Sequence, residues 1–172
     1  MTVLEAIKDR YSVRSYLDKP VGEEDLTAVL EAAQYAQSAK NIQNWRFIVV
    51  RDQTMRNSLV AAAKGQRFVG EAPVVIVCCG TDTEYVMTCG QFAYSLDVAI
   101  AMENMALVAH ERGLGTCWLG AFYEDHVKKL LDIPLEEVRV VGMLTLGHPA
   151  GSSRGKNRES LDEIVYEGKW DS

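Results

Sequence analysis

The sequence is poor in the features that mark many common sites. Cysteine occurs four times, at Cys78, Cys79, Cys89 and Cys117, with no C-x-x-C pair and no histidine at metal-ligand spacing. That excludes a disulfide framework and leaves no metal centre legible; reduced cysteines in or near a core are expected. The three histidines, His110, His126 and His148, are scattered, which fits surface or hydrogen-bonded side chains better than ligands. Positive charge is also scarce: 18 Lys and Arg against 24 Asp and Glu give a net charge of −6, which argues against a nucleic-acid or anionic-membrane surface. No apolar run approaches the roughly 20 residues of a membrane span, and residues 1–11 carry Glu5, Lys8, Asp9 and Arg10 where a signal peptide would have its apolar segment. The expectation is a cytoplasmic protein with a small-molecule site. Its 172 residues are the size of one domain, 1–172, and a chain of this length buries roughly 70% of its unfolded surface without staples. There is no G-x-G-x-x-G fingerprint, Walker loop, G-x-S-x-G elbow or H-E-x-x-H helix.

What is present reads as helices first and then strands interspersed with helices, an α+β pattern. Thr2 and Glu5 have capping-box spacing, and Val3, Leu4, Ile7 and Tyr11 follow at helical intervals, predicting a helix over 3–10. Glu23, Glu24 and Asp25 put negative charge at the start of a second helix, whose stripe of Leu26, Val29, Leu30, Ala33 and Ala36 carries it to about residue 37. Strands are predicted over 46–50, 74–79, 116–119 and 138–146, and helices over 52–64 and 125–131. The 74–79 run is apolar on both faces, as in a sheet covered on both sides. Residues 95–112 form the longest helix signal, apolar nearly all the way round, capped by Gly113. Such a helix is expected to be buried, in part by a second copy of the chain. The tail, 147–172, is expected to be extended.

Four segments could carry chemistry. Arg10, Ser12 and Arg14 follow the first helix and could clamp a phosphate, since guanidinium donates in a planar fork; basic residues there would also complement the helix dipole. Ser38, Asn41, Gln43 and Trp45 stand between a helix and a strand, as either a ligand-reading loop or a turn with an anchoring tryptophan. Residues 113–122 combine glycines with Trp118 and could approach a ligand through backbone, or cap a helix and turn a sheet. Arg154, Lys156 and Arg158 form a second cationic cluster, a ligand grip or a solvated loop. No catalytic acid–base pair emerges.

Together the four segments resemble the nitroreductase family: Arg-Tyr-Ser-Val-Arg after helix one, Ser-Ala-Lys-Asn-Ile-Gln-Asn-Trp-Arg-Phe, the long helix followed by Gly-Leu-Gly-Thr-Cys-Trp-Leu-Gly, and Gly147-His148-Pro149 with Lys156 and Arg158 and then Leu161 to Val165. The resemblance covers nearly the whole chain. It implies a mostly antiparallel sheet flanked by helices, a long dimer-interface helix, and FMN sites shared between the subunits of a homodimer. Arg10, Ser12, Lys156 and Arg158 would hold the FMN phosphate, and Arg14 would sit near the pyrimidine end of the ring, where positive charge stabilises reduced flavin. Ser38, Asn41 and Gln43 would reach the partner's flavin, and Trp118, Leu119, Gly120 and Ala121 would line its ring. The implied reaction is ping-pong: NADH or NADPH reduces the flavin, which then reduces an electron-poor acceptor such as a nitroaromatic or quinone. A flavin-binding sensor or carrier with little turnover is the alternative. Asn44 stands where the family usually has proline, as does Gln37, and the short 80–95 stretch allows only a small lid.

Overall fold

The computed structural model describes residues 1–153 and 155–170. Its centre is a four-stranded sheet of β1 (Trp45–Val50), β2 (Val74–Gly80), β3 (Gly115–Leu119) and β4 (Arg139–Gly147), in the order β1-β2-β4-β3 with every pair antiparallel. Every residue of β2 is buried. Its alternate side chains serve two cores: Val75, Val77 and Cys79 face one, and Val74, Ile76 and Cys78 the other. This is why the run lacks polar alternation.

Helices cover both faces. One core takes in α2 (Glu23–Gln34) and α5 (Ala93–Glu111); the other takes in α3 (Gln53–Ala62), α4 (Phe68–Glu71) and α6 (Glu124–Leu130). The first helix, α1 (Val3–Asp9), begins with the capping box: Glu5 N–H donates to Thr2 Oγ1 at 3.2 Å, and Thr2 N–H to Glu5 Oε2 at 2.7 Å. Asp52 caps α3, and Gly113, at φ 73°, follows the end of α5.

Several elements differ from the sequence reading. α2 stops at Gln34, three residues early, with Tyr35 as its C-cap and 84% exposed. The tail is not wholly extended: Ser160 and Glu163 form a second capping box that starts α7 (Leu161–Ile164). The four-residue α4 is too short to show a period. Cys78, Cys79 and Cys117 are buried, but Cys89 is exposed. The long helix finds most of its burial within one chain, since α2 and all four strands leave Val98, Ala101, Met102, Met105 and Ala109 inaccessible. Its apolarity therefore does not by itself require a second subunit. No helix among the described residues is long and apolar enough to cross a membrane.

Candidate functional site

β3 is an edge strand of the sheet, and the segment after α1 runs along it. Ser12 bridges Thr116 in parallel, and Val13 N–H donates to Thr116 O at 2.9 Å. The same segment is tied to the chain after β4: Leu17 N–H donates to His148 O, Ala150 N–H to Ser15 O, and Tyr16 pairs with Pro149. Below it lies a buried knot. The Tyr16 hydroxyl is 2.7 Å from Thr145 Oγ1, and Cys117 N–H donates to that same oxygen at 3.1 Å. Burial raises the Tyr16 phenol well above its ordinary range, so it stays neutral. Gly115 lets the layers meet: a Cβ there would stand 2.4 Å from Val13 Cγ2 and 2.9 Å from Pro149 Cγ.

This arrangement opens a cleft of about 740 Å³ between residues 11–15 on one side and 151–153 and 155–158 on the other. Ser12 and Arg14 line one wall, and Lys156 and Arg158 the other. Residues near opposite ends of the chain thus form one grip. Among the described lining residues there are three cations and no carboxylate, in a chain whose net charge is −6. Partial burial, and then the neighbouring Arg10 and Arg158, hold the Lys156 ammonium below its ordinary range. An anion seated in the cleft would relieve that repulsion. The donor set of guanidinium, ammonium and serine hydroxyls matches phosphate oxygens. Arg14 and the Ser12 hydroxyl also flank Cys117, whose thiol is raised by burial and partly lowered again by these two neighbours.

The other predicted residues are placed differently. Arg10 does not line the cleft; its Nε donates to Glu103 Oε1 of α5 at 3.1 Å. Lys156 Nζ donates to the Ile7 and Lys8 carbonyls and so closes the C-terminal end of α1. Arg154 lies outside the described residues. Trp118, Leu119, Gly120 and Ala121 end β3 and lead away from it, and none lines the cleft. Trp118 is 43% exposed, whereas Leu119 is buried. At Gly120, apart from its chain neighbours, no atom of the described residues lies within 4 Å of where a Cβ would stand.

Ser38, Asn41 and Gln43 form a separate loop around the 3-10 turn Ala39–Asn41. None of them lines the cleft either. Three non-glycine residues here are left-handed: Lys40 at φ 51°, Asn41 at 56° and Gln43 at 55°. Such conformations cost roughly 1–3 kcal/mol each and persist only where the surroundings impose them. The Ser38 hydroxyl is partly committed, accepting the Gln43 N–H at 3.0 Å. Lys40 Nζ lies 4.7 Å from the centre of the Tyr85 ring, joining the loop to the segment before α5.

Sequence reasoning missed Asp97, which sits 4% exposed in α5 beneath this loop. Its Oδ1 accepts the Ala39 N–H at 3.0 Å, and its Oδ2 accepts Asn44 Nδ2 at 3.1 Å. The available signal was a carboxylate set among apolar residues near the start of α5, well apart from the helix's other two, Glu103 and Glu111. Thr145 was missed as well, because an interior strand threonine looks like any β-branched residue.

Comparisons with known proteins agree with this architecture. The sequence signature described as the Nitroreductase family matches residues 7–66 and 53–148. A Methanothermobacter thermautotrophicus protein provisionally named NADH dehydrogenase/NAD(P)H nitroreductase is 37% identical, over 99% of this chain and 88% of its own. A Bacillus subtilis protein named FMN reductase (NAD(P)H) is 31% identical, over 96% of this chain and 73% of its own. The solved structure of a nitroreductase family protein from Clostridium difficile 630 superposes with a TM-score of 0.90 at 29% identity, covering 99% of this chain and 100% of that one. The chain belongs to the nitroreductase family.

Proposed function

We propose that the whole chain, residues 1–172, is one FMN-binding domain of a cytoplasmic, homodimeric NAD(P)H oxidoreductase. The observation that carries this reading is the cleft where two distant segments of an acidic chain converge three cations and no carboxylate among the described lining residues. Ser12, Lys156 and Arg158 would hold the FMN phosphate. The Arg14 guanidinium would favour negative charge that builds up on a group in the cleft. Arg10 would join the phosphate by leaving Glu103, or would act from behind through its charge. When bound, FMN would supply the redox chemistry, hydride transfer from NADH or NADPH to an electron-poor acceptor such as a nitroaromatic or quinone in two half-reactions.

The remaining residues fit a site completed by a second copy of the chain. The 38–43 loop presents amides but does not line its own chain's cleft, and would reach the partner's flavin. The backbone of 118–121 would lie along the ring; open space at Gly120 favours close approach there. Exposed apolar side chains gather on α1 and the tail, including Val3, Leu4, Leu161 and Trp170, all at least 59% exposed. In a homodimer such side chains would be available to the interface.

The test compares FMN with riboflavin on flavin-free protein by fluorescence quenching. A site built on a phosphate grip binds FMN at least about a hundredfold more tightly, the effect of two charged hydrogen bonds. Equal binding of the two flavins, or none of either, contradicts the reading.

A further inference from the structure

The 38–44 loop holds an unfavourable backbone shape at Lys40, Asn41 and Gln43, and Asp97 ties it from beneath. Both carboxylate oxygens are spent on it, one on the Ala39 N–H and one on the Asn44 side chain. The second contact leaves Asn44 Oδ1 buried without a hydrogen-bond partner among the described residues. The loop thus keeps an unsatisfied oxygen while its amide nitrogen stays on Asp97. The backbone carbonyl of Asn44 is held too, accepting from Thr81 N–H at 2.8 Å and Thr81 Oγ1 at 3.0 Å. Asp97 is therefore the buried hub that joins the start of the 3-10 turn to the residue preceding β1.

We infer that Asp97 is a positioning residue: its two hydrogen bonds preset the strained 38–44 loop, so that Asn41 and Gln43 are already in place for the flavin of the second subunit. The functional half of this inference rests on the proposed FMN reading; the structural half does not. Preorganisation strengthens binding because the loop need not be ordered at the moment of contact.

The hydrogen-bond pattern makes asparagine a discriminating replacement. In Asp97→Asn, the new Oδ1 can accept the Ala39 N–H, while Asn44 turns its amide over so that its free Oδ1 accepts from the new Nδ2. Two contacts survive without the charge. Asp97→Ala loses both. Ala39→Pro removes only the donor: Ala39 opens the turn, a position where proline is tolerated, and Ser38 before it is extended at φ −141°, ψ 157°, as a residue before proline prefers.

The experiment measures amide hydrogen exchange at Ala39 and Gln43 in the flavin-free full chain, and FMN affinity in the same preparations. Asp97→Ala is expected to speed exchange at both amides and to weaken FMN by about tenfold or more, the effect expected of one to two hydrogen bonds. Exchange in α5 and β1 should be unchanged. Asp97→Asn should stay within about threefold of wild type in both measurements. If Asp97→Ala does not fold, Ala39→Pro decides by faster Gln43 exchange and weaker FMN binding. Wild-type exchange in the folded Asp97→Ala chain, wild-type exchange and affinity in Ala39→Pro, or an Asp97→Asn chain as damaged as Asp97→Ala overturns the inference. If the wild type binds no FMN, the proposed function falls, and the exchange rates still decide whether Asp97 holds the loop.

Discussion

Arg158 and Glu124 show how differently single charges act in this protein. Arg158 is exposed at the cleft, with no carboxylate partner among the described residues, so its value to the fold is small and its value to an anion is large. Arg158→Ala should leave the thermal midpoint unchanged and weaken FMN by about tenfold, as expected for one charged hydrogen bond, with riboflavin binding unaffected. Titration of both flavins checks this. Glu124 is the converse. Burial alone would raise its carboxyl, but hydrogen bonds from Arg139, the Val140 amide and Lys128 outweigh it and hold the group below its ordinary value of 4.5. Its contribution to stability is therefore complete above that value and is lost as pH falls through the lower folded-state value. Lys128, 3% exposed, depends on this partner at 3.1 Å. Glu124→Gln should cost about 2–4 kcal/mol at neutral pH, read by urea unfolding. It should also flatten the acid limb of the stability profile, because glutamine does not titrate. An unchanged acid limb would mean that Glu124 does not carry it. The residue scale is also where the sequence was least legible: Arg10 turns to Glu103 and Asp97 holds Ala39, and no pattern in the chain announces such distant pairs.

At the scale of elements, the strands and longer helices were legible because their burial is periodic or total. β2 faces two cores, and an uninterrupted apolar run is the only pattern that satisfies both. The boundaries were harder. α2 ends without a glycine to announce it, while α7 owes its start to a capping box within a charged tail. The crossing of the 12–16 segment over β3 could not be read from spacing, although Gly115, which permits it, stood in the sequence. Gly115→Ala places a methyl against Val13, which lines the cleft, and Pro149, which precedes its second wall. It should cost about 1–3 kcal/mol of stability by overpacking. FMN affinity should fall as well, because Ser12 and Arg14 are displaced with Val13. Thermal unfolding and flavin titration on one preparation check both halves; lost stability with unchanged affinity would separate the crossing from the grip.

For the whole molecule, one chain brings Ser12, Arg14, Lys156 and Arg158 together but leaves Ser38, Asn41 and Gln43 off that cleft. The family resemblance already assigned the second group to the partner's flavin, whereas spacing along the chain does not show that the two groups fall in different places, which is a property of the folded surface. A shared site reconciles them, and it requires two chains. Light scattering of the flavin-loaded protein at micromolar concentration should give twice the mass of one chain; a monomer that retains FMN would contradict the shared site. The central claim concerns electron transfer through that site, and a visible spectrum of the purified protein under anaerobic conditions, before and after NADH or NADPH, tests it most directly. The account predicts a flavin spectrum that bleaches with at least one of the two donors and recovers when a quinone or nitroaromatic is added. A colourless protein that takes up no FMN, or a yellow one that neither donor bleaches, would contradict it.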